Sequence, residues 1–453
     1  MPRLNLYVIL FALLLYAITA GVTLRDRLLI ATLHQIEHNA HAEPGAKNLF
    51  EGAMAGMIDT LSDEYDDWYS MYIPPSRQTQ YEDELNNRYE GLGLSTRSHK
   101  EGEEQQLFVG FPFYDSPAYQ LGLRSGDQIL QINDTSVADK TNIEILLLLH
   151  QPESETRLSV LPFGETAPKD FVVRREKIQC DSVEGEYVDA DKRVFHLETL
   201  PKIGYIRITS FSNSTADEFE SALESMMQDN VESFILDLRD NAGGDVRTCI
   251  AIAQMLLPSD SEQHVIVTVH PRSGRERKET IPEGTQLCTL PMAVLIDGDT
   301  ASASEILAAA LQDHGRATIV GTRSFGKGVI QSIVSLPFQS GILQLTDAEY
   351  RRPSGAVIHR KKNVADSDDW GVIPDRTVAL PEGEQSAVLK YRSLRSNVMA
   401  AERSAILERF RRQVIEKQEN AAADSEWNQF EFTGTAPYYD LQIDETVKVL
   451  LGK

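Results

Sequence analysis

Cysteine is scarce in this chain: Cys180, Cys249 and Cys288 are the three thiols among 453 residues. They lie far apart and form no CxxC pair, a spacing that excludes a disulfide framework and a cysteine-based metal site. The odd count also leaves at least one cysteine unpaired. We therefore expect ordinary buried thiols, and we predict neither a metal nor another cofactor.

Positive charge is also in short supply. The 68 Asp and Glu residues outnumber the 44 Lys and Arg residues, which gives a formal net charge of −24 at pH 7. A surface of that sign repels phosphate backbones, so nucleic acid is not an expected partner. Disorder is excluded too, because hydrophobic residues make up 42% of the chain. The length predicts about three domains.

Charge is absent altogether from Leu4 to Leu24, between Arg3 on one side and Arg25 on the other. A run of this length can cross a bilayer as one helix, so we predict that residues 1–24 anchor the chain in a membrane. A cleaved signal peptide is the alternative, although its apolar part is usually shorter and no clean small-x-small cleavage site follows here. The flanking arginines fall on both sides and leave the orientation open.

Beyond this segment the pattern of apolar and charged residues divides the chain into four regions. Apolar residues at helical spacing predict a helical N-terminal region over 25–85. Short apolar runs separated by Gly and Pro predict a small β-rich domain over 86–165. Strand and helix patterns then alternate, which predicts an α/β core with a largely parallel sheet over 166–381. A charged helical extension follows over 382–453.

One stretch of the β-rich region is specific. In "SPAYQLGLRSGDQILQIND" a short helix from Pro117 leads through two glycine turns into an alternating strand. This resembles a PDZ domain. The resemblance implies that an apolar C-terminal tail adds as an extra strand. The loop "EGLGL" would then receive the tail's carboxylate on the N–H groups around Leu92, Gly93 and Leu94. A plain β-turn in a small barrel is the alternative for that loop.

Two serines stand at the start of an apolar helical stretch in "GDTASASEILAAALQDHG". A serine at a helix N-terminus lies where free N–H groups stabilise an anion, including a developing oxyanion. The structural alternative is an ordinary capping box between Ser302 and Glu305. A Ser302–His314–Asp triad is a third hypothesis, but twelve residues of straight helix separate the two side chains by about 18 Å. His314 is therefore a poor candidate for the base.

Two further motifs carry groups that such a serine needs. In "SFGKGVIQS" a lysine lies between two glycines. If Lys327 is desolvated, its pKa falls and the neutral amine can act as a base. In "LDLRDNAGG" an apolar strand runs into paired glycines, whose N–H groups could complete an oxyanion hole. Taken singly, both motifs are also common as plain turns.

In this order, and behind the PDZ-like segment, these motifs resemble the C-terminal processing peptidases, also called tail-specific proteases. The resemblance implies a serine endopeptidase with a crotonase- or Clp-protease-like mixed sheet. It places the nucleophile at Ser302, the general base at Lys327 and a third catalytic residue at Gln331, with Asp313 as structural support. It assigns the oxyanion donors to the backbone N–H groups of Ala303 and Gly243. Ser304 becomes a residue of the helix start or of the packing.

The resemblance also sets expectations about partners and place. Substrates would be proteins or peptides with apolar C-terminal tails, and the enzyme would lie on the extracytoplasmic, periplasmic side of the membrane. The helical regions are candidate surfaces for homo-oligomers. An inactive PDZ scaffold is the alternative function, and the intact set of catalytic residue types argues against it. Because four residues of strand span about 13 Å, Gln331 can serve Lys327 directly only if "GKGVIQ" begins as a helical turn.

Overall fold

The structure is a computed structural model that describes residues 24–42, 44–101, 104–113, 115–151, 153–189, 192–258, 264–361, 365, 369–380, 388 and 440–452. Its helices are α1 (Leu24–Asn39), α2 (Ala46–Tyr65), α3 (Gln78–Leu85), α4 (Pro117–Gln120), α5 (Asn142–Leu149), α6 (Thr215–Gln228), α7 (Val246–Leu256), α8 (Ala303–Asp313) and α9 (Leu441–Leu450). Short 3₁₀ turns lie at Pro75–Arg77 and Pro337–Gln339.

The strands of the N-terminal half are β1 (Met71–Ile73), β2 (Arg88–Gly91), β3 (Leu94–Glu101), β4 (Glu104–Pro112), β5 (Gln128–Ile132), β6 (Thr135–Ser136), β7 (Glu155–Leu161), β8 (Lys169–Arg174), β9 (Glu176–Gln179), β10 (Val183–Glu184), β11 (Tyr187–Asp189) and β12 (Lys192–Val194). Those of the C-terminal half are β13 (Ile203–Ile208), β14 (Ser233–Asp237), β15 (Val265–Pro271), β16 (Arg277–Thr280), β17 (Met292–Ile296), β18 (Ala317–Gly321), β19 (Val329–Ser335), β20 (Ile342–Arg351) and β21 (Arg376–Thr377).

The chain divides into two compact units, and the smaller one contains residues 1–78 and 331–346. Its helices α1 and α2 confirm the helical prediction for the N-terminal region, although neither helix has a buried residue. Strand β1 pairs antiparallel with β20, with Ile73 opposite Ile342. The predicted membrane segment lies outside the described residues except for Leu24. Among the helices that the structure describes, none is long and apolar enough to span a bilayer.

The larger unit contains residues 79–330 and 347–453. Its β-rich part is a sheet in the order β3-β4-β5-β7-β8, with β6 beside β5. The predicted short helix is α4. In β5 the predicted alternation is interrupted: Ile129 and Ile132 are both fully buried although they are three residues apart, because the pairing with β7 shifts register between Ile129 and Gln131. These side chains pack with Leu107, Val109, Leu158 and other apolar residues in a small core of their own.

The α/β part of the larger unit is a second sheet, in the order β10-β13-β14-β17-β18-β21. Strands β13, β14, β17, β18 and β21 are parallel, and β10 runs antiparallel to β13. All residues of β13, β14 and β17 are buried, as expected for parallel strands covered on both faces. The predicted α/β core is therefore confirmed.

Two separate clusters cover the faces of this sheet. On one face, residues of α6, α7 and α8 pack against alternate strand residues such as Ile206, Leu236 and Val294. On the other face, Ile443 and Val447 of α9 pack with Tyr205 and Ile235. Of the predicted extension over 382–453, residue 388 and residues 440–452 are described. Helix α9 shows that the end of the chain is part of the core.

Candidate active site

Ser302 lies between β17 and α8, as the strand–turn–helix pattern predicts. The buried apolar strand ends at Ile296, and the Asp297 carboxylate accepts hydrogen bonds from the Asp299 and Thr300 N–H groups at 3.1 and 3.0 Å. This tight turn delivers Ser302 to the N-cap of α8 with φ 57° and ψ −116°. A residue with a side chain pays strain for a positive φ, on the order of 1–2 kcal/mol. The surrounding contacts must hold it there.

The glycine turn after β14 provides some of those contacts. The Asn241 carbonyl accepts from the Ala301 N–H at 2.9 Å and from the Ser304 hydroxyl at 3.0 Å. Gly243 has φ 100°, and a Cβ there would lie 2.8 Å from the Ser302 Cβ and 2.9 Å from the Ala303 nitrogen. The two predicted oxyanion residues are thus neighbours. In this conformation the Gly243 N–H donates to the Asn241 side chain at 2.9 Å, so its role as an oxyanion donor stays a prediction.

A buried carboxylate joins the serine turn to the lysine loop. Glu305 Oε2 accepts from the backbone N–H of Ser302 at 2.9 Å and from that of Lys327 at 2.8 Å. One oxygen atom therefore bridges the two segments, and the two backbone nitrogens lie within about 6 Å of each other. The Glu305 side chain reaches back to the N-cap residue, as the predicted capping box requires. It also binds a segment 22 residues further along the chain.

A tyrosine joins the same two residues through their carbonyl groups. Tyr350, in β20, is fully buried, and its hydroxyl lies 3.0 Å from the Ser302 carbonyl oxygen. The same hydroxyl also contacts the Lys327 carbonyl oxygen. Sequence reasoning missed Tyr350, because a tyrosine between Glu349 and Arg351 gives no local sign of a contact with Ser302. It lies within the segment "LTDAEYRRPSGAVI", which was the available signal.

The environment of Lys327 favours its neutral form. Burial lowers the pKa of the Lys327 amine from its ordinary value of 10.5, and the Glu305 charge opposes that decrease. For Glu305 itself, burial raises the pKa, and the hydrogen bonds from Ser324, Gly326, Ser302 and Lys327 oppose the rise. The desolvation that the glycine-flanked lysine predicts is therefore present.

Three other residues of this motif, Ser304, His314 and Asp313, make contacts that do not involve the Ser302 hydroxyl. Ser304 is fully buried in packing contacts, in agreement with its predicted role. His314 caps the far end of α8, where its ring nitrogen lies 2.8 Å from the Val265 carbonyl oxygen. Asp313 forms an ion pair with Arg352, as a structural support would.

Gln331 does not fulfil the geometric expectation. Residues 323–328 have no regular secondary structure and β19 begins at Val329, so the segment lacks the helical turn that direct service of Lys327 by Gln331 would require. The β-branched pair Val329 and Ile330 favours a strand at this point. Gln331 lies within that strand, and its amide donates to the Thr346 hydroxyl at 3.3 Å. Its catalytic role remains a prediction from the motif.

The predicted carboxylate loop of the β-rich domain lies between β2 and β3. Leu92 is buried, and Gly93 has φ 77° with its carbonyl accepting from the Ser116 hydroxyl at 2.7 Å. A Cβ at Gly93 would lie 2.2 Å from the Ser116 Cβ, so this close approach requires glycine. Leu94 begins β3. The three residues therefore connect β2 to β3, and their role as a carboxylate site stays a prediction.

A strained serine at a helix N-terminus and a desolvated lysine on an adjoining loop are the groups expected of a serine hydrolase that uses a lysine as its base. The sequence profile of peptidase family S41 matches residues 202–378, and that of PDZ domains matches residues 115–161. The carboxyl-terminal-processing protease of Synechocystis is 32% identical over 330 residues, which cover 73% of this chain and 71% of that protein. The chain belongs to peptidase family S41 and to its carboxyl-terminal processing proteases.

Two further comparisons agree. Carboxy-terminal processing protease CtpB of Bacillus subtilis is 31% identical over 316 residues, or 70% of this chain, and the match spans 62% of that relative's length. The crystal structure of an S41 protease from Bacteroides fragilis gives a TM-score of 0.51 at 18% identity, covering 75% of this chain and 88% of the other. At that identity the likeness supports the fold alone.

Proposed function

We propose that this chain is a serine endopeptidase that binds the C-terminal tails of protein substrates and cleaves them through an acyl-enzyme. Ser302 is the nucleophile and Lys327 is the general base. The observation that carries the proposal is the single oxygen of Glu305 that accepts from the N–H groups of both residues. It ties a serine at a helix N-terminus to a lysine whose charged form is disfavoured.

The chemistry follows from these positions. Neutral Lys327 takes the hydroxyl proton while Ser302 Oγ attacks the scissile carbonyl, and the resulting oxyanion lies at the positive end of α8. The Ala303 N–H and a glycine N–H of the 241–244 turn, with Gly243 as our candidate, stabilise that charge. The lysine then protonates the leaving amine, and water clears the acyl-enzyme. Gln331 is retained as a third residue on the motif alone.

Activity should rise with pH as Lys327 loses its proton. Because burial lowers the pKa of Lys327, the acid limb of the profile should lie below the ordinary lysine value of 10.5. Below that limb the amine is charged and cannot accept the serine proton.

The PDZ domain supplies the recognition step in this proposal. A substrate tail would add as a strand beside β3 and place its carboxylate on the N–H groups of the Leu92–Leu94 loop. The exposed apolar residues Ile143, Leu146 and Leu147 of α5 would favour apolar tails.

The membrane anchor is proposed from the sequence segment, and the side of the membrane from the family resemblance. The uncharged segment Leu4–Leu24 would anchor the enzyme in the membrane, with the peptidase on the extracytoplasmic side. The helical regions, including α1 and α2 with no buried residue, are the surfaces through which copies would associate.

The proposal is tested by incubating the wild type, Ser302→Ala and Lys327→Ala with a peptide that ends in an apolar tail and a free carboxylate. Loss of a nucleophile or its base should lower kcat by about 10³-fold or more. A fluorophosphonate probe should label the wild type at Ser302, as read by mass spectrometry.

Ser304→Ala is the matched control, because it removes the other hydroxyl of the motif and leaves the predicted nucleophile in place. It should still be labelled at Ser302. Undiminished turnover in Ser302→Ala or Lys327→Ala would contradict the mechanism. Tail binding without any turnover in the wild type would instead favour a PDZ scaffold.

A further inference from the structure

Glu305 is a carboxylate in an unusual position. It is the third residue of α8, and its side chain is completely buried. A buried charge is costly unless hydrogen bonds replace its water. The arrangement therefore needs an explanation from the groups that surround the carboxylate.

Four donors converge on this carboxylate, two on each oxygen. Oε1 accepts from the Ser324 hydroxyl at 2.6 Å and from the Gly326 N–H at 2.7 Å. Oε2 accepts from the Ser302 and Lys327 N–H groups at 2.9 and 2.8 Å. An ionised carboxylate only accepts hydrogen bonds, so it matches all four donors. An amide of the same shape would turn an NH₂ group toward two of them.

Three of the donors come from the loop that carries Lys327. Residues 323–328 have no regular secondary structure, so no helix or strand ladder fixes their path. Glu305 holds that loop at three points and holds the nucleophile turn at a fourth. On the carbonyl side, the Tyr350 hydroxyl contacts both Ser302 and Lys327.

We propose that Glu305 is a positioning residue that fixes the nucleophile turn and the lysine loop in one arrangement, with Tyr350 completing the connection. This inference rests on the proposed function, since it concerns the same Ser302 and Lys327. It adds a group whose role is to hold the two reacting residues in register.

The carboxylate charge has a second consequence. Burial lowers the pKa of Lys327, and the Glu305 charge opposes that effect. Removing the charge while keeping the shape should therefore lower the pKa of Lys327 further. A residue with a merely structural role would leave that pKa unchanged.

The test compares Glu305→Gln with the wild type in the full chain. We expect kcat for a tailed peptide to fall by about 10²-fold because two of the four donors lose their acceptor, while KM changes little. The acid limb of the kcat profile should move to lower pH. A loss of kcat with an unmoved limb would overturn the charge effect, and an unchanged kcat would overturn the positioning role.

Glu218→Gln is the matched control. The Glu218 carboxylate also accepts several hydrogen bonds, from the Ser182 and Val183 N–H groups and the Ser214 hydroxyl, but it joins β10 to α6. Its replacement should lower stability and leave the acid limb in place. Tyr350→Phe should lower kcat by a smaller factor and also leave the limb in place, because a phenol carries no charge. A shifted limb in either variant would contradict the assignment to Glu305.

Hydrogen–deuterium exchange separates this inference from the proposed function. The peptide that covers residues 322–328 should exchange faster in Glu305→Gln and in Tyr350→Phe than in the wild type, whether or not the protein cleaves peptides. If the wild type shows no cleavage, the proposed function fails while this result still supports the connection. Unchanged exchange in both variants would overturn it.

Discussion

Two loops present backbone N–H groups around a glycine with positive φ: the turns around Gly243 and Ser302, which we call the catalytic turn after the proposed function, and residues 92–94, which we call the PDZ loop. They differ in how their buried polar side chains are hydrogen-bonded. Around Ser302, the side chains of Glu305, Asn241 and Asp297 all accept hydrogen bonds from nearby backbone N–H groups. Beside the PDZ loop, the Tyr89 hydroxyl is buried and donates to no acceptor in the part of the chain that the structure describes.

The position of Tyr89 gives this difference a meaning. Its ring packs over Gly91, and burial raises the pKa of its hydroxyl, while the backbone N–H groups of Gly93 and Leu94 oppose the rise. The hydroxyl therefore faces the N–H groups assigned to the tail carboxylate. A buried hydroxyl hydrogen without an acceptor costs roughly 1–3 kcal/mol, which a ligand that accepts it would recover. The polar side chains of the catalytic turn are hydrogen-bonded before substrate binds, whereas in the proposed function the Tyr89 hydroxyl would donate to the bound tail.

The largest expected effect comes from crowding the catalytic turn with Gly243→Ala. The new Cβ would lie 2.8 Å from the Ala301 carbonyl oxygen and from the Ser302 Cβ, at φ 100°. We expect kcat/KM to fall by about 10²-fold or more, because a shift of about 1 Å at the nucleophile is enough for that loss. Tail binding should be unchanged in a fluorescence anisotropy assay.

Gly164→Ala is the matched control for the backbone strain alone. Gly164 has a similar positive φ of 81°, but no atom lies within 4 Å of its added Cβ. It should cost about 1 kcal/mol of stability and no activity. If both variants lost the same activity, close packing at Gly243 would not be what positions the nucleophile.

Much of the active site could be predicted because its chemistry lies in contiguous motifs. Ser302 and Ser304 stand at a predicted helix start, and Lys327 stands between two glycines. Each of these local patterns indicates an environment for its residue. Tyr350 could not be found this way, because its contact with Ser302 joins positions 48 residues apart. The strand–helix alternation likewise predicted the parallel sheet. It could not predict that α9 covers one face, since nothing local connects it to β13 or β14.

The second largest effect tests whether the contact between Arg239 and Asp440, next to α9, supports the catalytic turn. Arg239, at the start of the turn, is buried between Asp237 and Asp440, with N–O distances of 2.6 and 3.1 Å. Asp440 also caps α9 through the Ile443 N–H at 3.2 Å. Asp440→Asn should lower the free energy of unfolding by about 3 kcal/mol, measured by urea denaturation, because a buried cation loses one of its partners.

The exposed pair Lys448–Glu445 on the same helix provides the comparison. Lys448→Ala should change the free energy of unfolding by less than about 0.5 kcal/mol. Equal losses in the two variants would mean that Asp440 acts as a surface residue and that the turn does not depend on α9.

The smallest effect bears on the PDZ loop itself. Tyr89→Phe removes the hydroxyl group and keeps the ring that packs over Gly91 and against Phe113. In the Ser302→Ala background, the Kd for a peptide with a free C-terminal carboxylate should rise by about 10-fold, the lower end of the range for one hydrogen bond to a charged group. The Kd for the same peptide with a C-terminal amide should stay the same, and so should kcat in the active enzyme. Folding stability should change little, because the hydroxyl donates to no acceptor. An equal loss of affinity for the acid and the amide would show that Tyr89 only shapes the pocket. Its hydroxyl would then not be a donor for the tail carboxylate, and the difference drawn between the two loops would be wrong.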